Sequence, residues 1–282
     1  MAETVENIVS QTWLLGQLGD ANIVIADCRF ALGKPDSGRE QYEQDHIAGA
    51  VYVDLEKDMS GALMAHGGRH PLPDLGAFSI LVGNLGIDST KTVVAYDDQG
   101  GAMASRLWWM LKFLGHSEVY VLDQGYSAWK SAGYPVSAEL PAVFPRTFSP
   151  KVHRSMLASM DEVKDKLGRP GTVLVDSREE RRYLGLEEPI DAVAGHIPGA
   201  RNFFWKGVLG ENGAWLSAAE QEQHFAALRD ADEIIVYCGS GVTACPNVLG
   251  LSEAGFDNVK LYSGSWSDWI SWADNPIAKG EE

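Results

Sequence analysis

The sequence reads twice. Asn22-Ile-Val-Ile-Ala-Asp-Cys-Arg29 returns as Thr172-Val-Leu-Val-Asp-Ser-Arg178, and His46-Ile-Ala-Gly-Ala50 returns as His196-Ile-Pro-Gly-Ala200. Thr92-Val-Val-Ala-Tyr-Asp97 returns as Glu233-Ile-Ile-Val-Tyr-Cys238. Val119-Tyr-Val-Leu122, followed by Trp129, returns as Val259-Lys-Leu-Tyr262, followed by Trp269. Four matches in one order, at an offset of about 140–150 residues, mark a duplicated domain. Each copy alternates short apolar runs with helical patterns, which predicts an α/β domain with a mainly parallel sheet flanked by helices. Ser10 is placed to cap a helix over 11–18, and the second copy has its counterpart over 160–167. Longer amphipathic helices are predicted over 104–114 and 242–253, each stopped by a glycine, Gly115 and Gly255. Between the copies, Pro135, Pro141, Pro145 and Pro150 predict a stiff extended linker. The expected division is therefore a first domain over 1–135, a linker over 136–150 and a second domain over 151–282.

Composition narrows the function classes. A formal charge of −16 disfavours nucleic acid and anionic membrane surfaces as partners. No stretch approaches the ~18 apolar residues of a membrane span, and the first twenty residues lack the basic and apolar regions of a secretory signal. The three cysteines, Cys28, Cys238 and Cys245, are odd in number and scattered, which points to a reducing, cytoplasmic setting rather than a disulfide framework. No paired metal-ligand spacing and no nucleotide-binding glycine fingerprint occurs, so neither metal nor organic cofactor is expected.

The chemistry concentrates in Cys238-Gly-Ser-Gly-Val-Thr-Ala244. The β-branched run Ile234–Val236 reads as a buried parallel strand, and Cys238 stands where it ends. Gly239 and Gly241 permit a tight turn ahead of a helix expected to start at Val242. A sulfur ringed by such a turn faces inward N–H groups, a nest that favours an anion on sulfur. The alternative is a small apolar residue packed at a strand end. Cysteine phosphatases use a comparable loop, but they need an arginine six positions after the nucleophile to grip phosphate; that position here is Ala244.

This loop resembles that of the rhodanese-type sulfurtransferases, in particular their 3-mercaptopyruvate branch, and the resemblance extends over nearly the whole chain. It implies two tandem rhodanese-like domains, the first catalytically silent, with sulfane sulfur carried as a persulfide on Cys238. It also implies that Gly239, Gly241, Val242 and Thr243 line the donor and persulfide. The thiosulfate branch typically carries basic residues where this chain has Gly239 and Ser240.

The duplication supplies an internal control. Asp27/Asp176, Arg29/Arg178, His46/His196 and Trp129/Trp269 occur in both copies and read as structural: ion pairs within each domain, and histidines fixing the turn before a glycine. Cys238 occurs once, its counterpart being Asp97. Arg182 also lacks a twin, since Gln41 holds its place. It reads either as a solvated helix charge or, by the resemblance, as the residue binding the donor's carboxylate or sulfonate, with the extra segment 185–193 bordering the site. A second arginine of the mercaptopyruvate enzymes would fall near Ile190, and this chain lacks it. The first copy carries its own extra, the polar stretch 54–74. By the resemblance, Glu56 and His70 from this stretch act with Ser240 as an acid–base–hydroxyl relay that polarises the donor; the alternative is a solvated loop. Cys245 reads as a packed small residue or a resolving thiol, and Cys28 as core.

The expected activity is transfer of sulfane sulfur from 3-mercaptopyruvate to a thiophilic acceptor such as cyanide, a small thiol or thioredoxin. Thiosulfate:cyanide transfer and a persulfide carrier without turnover are the alternatives.

Overall fold

Two parallel sheets organise the chain, one in each half of the repeat. The computed structural model describes residues 7–281. Contacts divide these residues into two units. The first comprises the described residues up to Gly61, Leu72–His153 and Leu209–Trp215; the second comprises Ala62–Pro71, Arg154–Val208 and everything from Leu216. The division thus follows contacts and not one cut in the chain: the proline-rich stretch 136–150 belongs to the first unit, and the polar loop 62–71 to the second.

In the first unit the strands are β1 (Ile8–Val9), β2 (Ile23–Asp27), β3 (His46–Ile47), β4 (Val51–Tyr52), β5 (Thr92–Tyr96), β6 (Val119–Leu122) and β7 (Val136–Ser137). Five of them form a parallel sheet in the order β1-β6-β5-β2-β4, while β3 and β7 make a separate antiparallel pair. The helices are α1 (Gln11–Gln17), α2 (Ser37–Gln44), α3 (Leu75–Asn84), α4 (Ala102–Phe113) and α5 (Gly125–Ser131). The second unit has β8 (Thr172–Asp176), β9 (Ala200–Asn202), β10 (Glu233–Tyr237) and β11 (Val259–Leu261), all parallel in the order β11-β10-β8-β9. Its helices are α6 (Met160–Asp165), α7 (Glu180–Tyr183), α8 (Ala218–His224), α9 (Cys245–Glu253) and α10 (Ser265–Trp269). Ile234, Ile235 and Val236 are fully buried, as a strand covered on both faces requires. Among the described residues no helix is long and apolar enough to cross a membrane.

Local signals set the helix ends. Ser10 and Ser159 accept hydrogen bonds from the backbone N–H of Trp13 and Glu162, satisfying donors that the first turn leaves open. Gly115 and Gly255, both at positive φ, close α4 and α9. In each case the next residue donates back into the last turn, His116 to the Leu111 carbonyl and Phe256 to that of Leu251. Helix α9 corrects the expected start at Val242: it begins at Cys245, where Pro246 supplies a pre-set φ and no N–H to satisfy. Residues 242–244 remain in the loop.

The residues shared by the two copies do the same structural work twice. Arg29 grips Asp27 at 2.6 Å and Arg178 grips Asp176 at 2.6 Å, all four buried. The Tyr96 hydroxyl accepts from Ile47 N–H, and the Tyr237 hydroxyl from Ile197 N–H, both at 3.1 Å. His46 stacks on Tyr42 and His196 on Tyr183, each with Nδ1 on that tyrosine's carbonyl oxygen at 2.7 and 2.8 Å. Trp129 and Trp269 donate their indole N–H groups to the Pro135 and Pro276 carbonyls. These pairs tie the carboxyl ends of the central strands to the turn that follows, which is where an α/β sheet presents its site.

Burial disfavours the Arg178 charge, but the Asp176 carboxylate more than compensates and holds Arg178 above its ordinary value. Replacing Arg178 with Met leaves Asp176 charged and uncompensated in the interior. The expected loss is about 3–5 kcal/mol, read as a lower urea midpoint; an unchanged midpoint contradicts the structural role.

Candidate active site

Strand β10 delivers Cys238 to the carboxyl edge of its sheet, and the chain then turns for six residues before α9 begins. The Cys238 sulfur is buried and accepts a hydrogen bond from Gly241 N–H at 3.1 Å. Its own backbone is fixed from behind: Cys238 N–H donates to Ser265 Oγ, and its carbonyl accepts from Trp266 N–H. The Gly239 carbonyl accepts from Ser267 N–H, so helix α10 braces the loop. Gly241 has φ +78°, and a methyl there would lie 2.1 Å from the Ser263 carbonyl oxygen. Only glycine fits that turn. Among the described residues, the N–H groups of Gly239, Ser240, Val242, Thr243 and Ala244 meet no acceptor, and all of these residues but Thr243 are buried. Unpaired buried donors are costly unless an anion or water takes them. The loop is therefore built to surround negative charge on sulfur.

The first unit contains the same loop with its anion built in. Asp97 stands where the second copy has Cys238. Its carboxylate accepts from the N–H groups of Gln99, Gly101, Met103 and Ala104 at 2.7–2.9 Å.

Loop 62–71 supplies the other side of the site within the second unit. His70 Nδ1 lies 2.8 Å from Ser240 Oγ, both buried, so the residues expected to act together do meet. The loop is held by α10: Gly67 N–H donates to Asp268 Oδ1 at 2.7 Å, Arg69 N–H donates to Ser267 Oγ at 3.1 Å, and His66 stacks on Trp272 with centroids 3.6 Å apart. Glu56 lies in the first unit, exposed, with its N–H on Asp54 Oδ1.

Arg182, on α7, is no solvated helix charge. Its side chain is 11% exposed and bonds Glu188 through Nε and Nη2, and Asp191 Oδ2 through Nη2 at 3.0 Å. Arg69 holds the other Asp191 oxygen. A Cβ placed on Gly239 would lie 3.0 Å from Arg69 Nη2 and 3.6 Å from Arg182 Nη2, so both cations border the residue next to Cys238. Burial lowers the Arg69 guanidinium from its ordinary value; the Cys238 sulfur opposes this and the nearby Arg182 adds to it. Sequence reasoning looked for a second arginine near Ile190 and missed Arg69; the one available signal was its place beside His70. Cys245 is buried, its thiol 3.4 Å from the Gly241 carbonyl oxygen, and Cys28 is buried in the first unit. Among the described residues no group of three or more His, Cys, Asp or Glu is arranged to hold a metal ion.

Comparison with known proteins decides the family. The model of the rhodanese-like domain matches residues 10–132 and again 159–271. The chain belongs to the rhodanese family. A probable 3-mercaptopyruvate sulfurtransferase of Pseudomonas aeruginosa is 42% identical over 273 residues, 95% of this chain and 96% of that protein. A putative thiosulfate sulfurtransferase of Mycobacterium tuberculosis, SseB, is 38% identical over 94% of this chain and 93% of its own. Among solved structures, SseA from Escherichia coli, described as a 3-mercaptopyruvate sulfotransferase, superposes with a TM-score of 0.80 at 30% identity, covering 92% of this chain and 98% of that one. This rhodanese is accordingly a tandem two-domain sulfurtransferase.

Gly241→Ala should keep the fold and lose the site. The strained φ and the clash with Ser263 cost about 1–3 kcal/mol and displace the N–H that faces the sulfur. Sulfurtransferase turnover should fall at least tenfold with an unchanged circular dichroism spectrum; wild-type turnover would show that this N–H is dispensable.

Proposed function

We propose that this rhodanese moves sulfane sulfur from 3-mercaptopyruvate to a thiophilic acceptor through a persulfide on Cys238. The observation that carries the reading is Cys238 on a glycine turn whose Gly241 N–H donates to its sulfur, with open N–H groups in the same loop and two arginines beside Gly239. The Cys238 thiolate attacks the donor sulfur, an S–S bond forms, and the donor's C–S bond breaks. The electron pair of that bond becomes the enolate of pyruvate, which takes up a proton to leave as pyruvate. The loop N–H groups hold the terminal persulfide anion. The Ser240 hydroxyl, hydrogen-bonded to His70, donates to the donor's carbonyl oxygen as the enolate develops. Glu56 keeps the supporting acidic role that the family resemblance assigns. Gly239, Val242 and Thr243 line the donor, and Arg182 with Arg69 meets its carboxylate. In the second half, cyanide, a small thiol or reduced thioredoxin attacks the terminal sulfur and restores the thiolate. In this reading the first domain, with Asp97 in place of cysteine, takes no sulfur, and the enzyme works in the cytoplasm.

Thiosulfate is the second reading, favoured by the presence of two guanidinium groups and by the SseB relative. Parallel steady-state kinetics separate the two. We expect the higher kcat/KM with 3-mercaptopyruvate, because a loop without side-chain cations in a protein of charge −16 receives a dianion poorly. A preference for thiosulfate would overturn that donor assignment. Arg182→Ala and Arg69→Ala should each lower kcat/KM by about one to two decades, the value of a charge-assisted contact of about 1.5–3 kcal/mol. Unchanged kinetics in both would remove the anion-binding role. Cys245→Ser should retain turnover; its complete loss would make Cys245 a partner in transfer.

A further inference from the structure

The two arginines at the rim are already occupied. Asp191 gives one carboxylate oxygen to Arg69 and the other to Arg182, and its side chain is only 3% exposed. Its Oδ2 lies 3.7 Å from the position a Cβ on Gly239 would take, within contact distance of the cysteine loop.

The neighbouring Glu188 has a different task. It accepts from Arg182 and Arg178, and its Oε1 also takes the backbone N–H groups of Ile190 and Asp191. Glu188 thus pins the segment 185–193 to the arginines, and Asp191 projects from the pinned turn. Among the described residues, Arg69, Arg178 and Arg182 pair with Asp176, Glu188 and Asp191, so the charges of this cluster cancel.

We propose that Asp191 is the specificity-determining residue for donor charge: an internal carboxylate seated where the anionic group of the donor binds. The proposal rests on the reading that Arg69 and Arg182 receive that group. A donor reaches them by exchanging with Asp191 or by sharing them with it. In either case a negative charge at Asp191 opposes a dianion twice as strongly as a monoanion. The extra segment 185–193 of the second repeat therefore carries a selection for one negative charge over two.

The test uses the full chain and two probes of single and double charge, the product pyruvate and the unreactive anion sulfate, as inhibitors of turnover. Asp191→Asn keeps the shape and the hydrogen-bond acceptor while removing the charge. The Ki of pyruvate should fall about tenfold and that of sulfate about a hundredfold, because the Coulomb energy scales with probe charge. The kcat/KM ratio of thiosulfate to 3-mercaptopyruvate should rise about tenfold, and the gain should shrink at high salt. Asp191→Glu restores the charge and should keep the wild-type ratios; Asp191→Ser is the second neutral variant should the Asn form unfold. Unchanged sulfate-to-pyruvate ratios in a folded neutral variant overturn the role of Asp191. Arg182→Ala in the same assay tests the underlying reading: if it leaves both Ki values unchanged, the anion seat itself is wrong, whatever Asp191 does.

Discussion

Six residues of backbone, 239–244, hold the site together by declining to become a helix. Strand β10 ends at Tyr237, helix α9 begins at Cys245, and between them Gly241 N–H donates to the Cys238 sulfur. Pro246 fixes where the helix begins, and Gly241 makes the turn that no side chain permits. Helix α10 holds the loop from behind through Ser265, Trp266 and Ser267. The first unit shows what such a loop wants: given a carboxylate at Asp97, it supplies four N–H groups to it. In the proposed mechanism, a cysteine in that place leaves the donors for an anion that arrives with the reaction.

Charge at the rim is governed by the same economy of local pairing. The protein is strongly acidic, so an anionic donor needs cations that its overall field does not provide. Arg69 and Arg182 stand beside Gly239, and Asp191 and Glu188 pair with them. A guanidinium as withdrawn from water as that of Arg182 is costly without a counter-charge, so the Asp191 carboxylate stabilises it and, in our proposal, competes with the donor.

Much of the fold was legible because duplication repeats its own evidence. Strand positions, the serine caps, the closing glycines, the Asp–Arg pairs and the stacked histidines all follow from residues close in sequence or present twice. Cys238 and its glycines were legible for the same reason, since a strand end, a turn and a helix start are local. The start of α9 was misplaced because apolar periodicity from Val242 outweighed the positional signal of Pro246. Arg69 and Asp191 were placed only within the stretches 54–74 and 185–193, because their partnership joins residues 122 positions apart. The His70–Ser240 contact spans 170 positions and was expected only through the family resemblance. Long-range pairing of polar side chains is the part of a site that periodicity and turn chemistry do not encode.

The central claim is that the loop's open N–H groups exist to hold a sulfur anion on Cys238. Whole-protein mass spectrometry after brief treatment with 3-mercaptopyruvate, without acceptor, tests it most directly. One added sulfur atom, mapped to Cys238, absent from Cys238→Ser and discharged by cyanide, is the predicted result. An unmodified Cys238 in protein that still turns over, or sulfur found on Cys245 or Cys28 instead, would contradict the account.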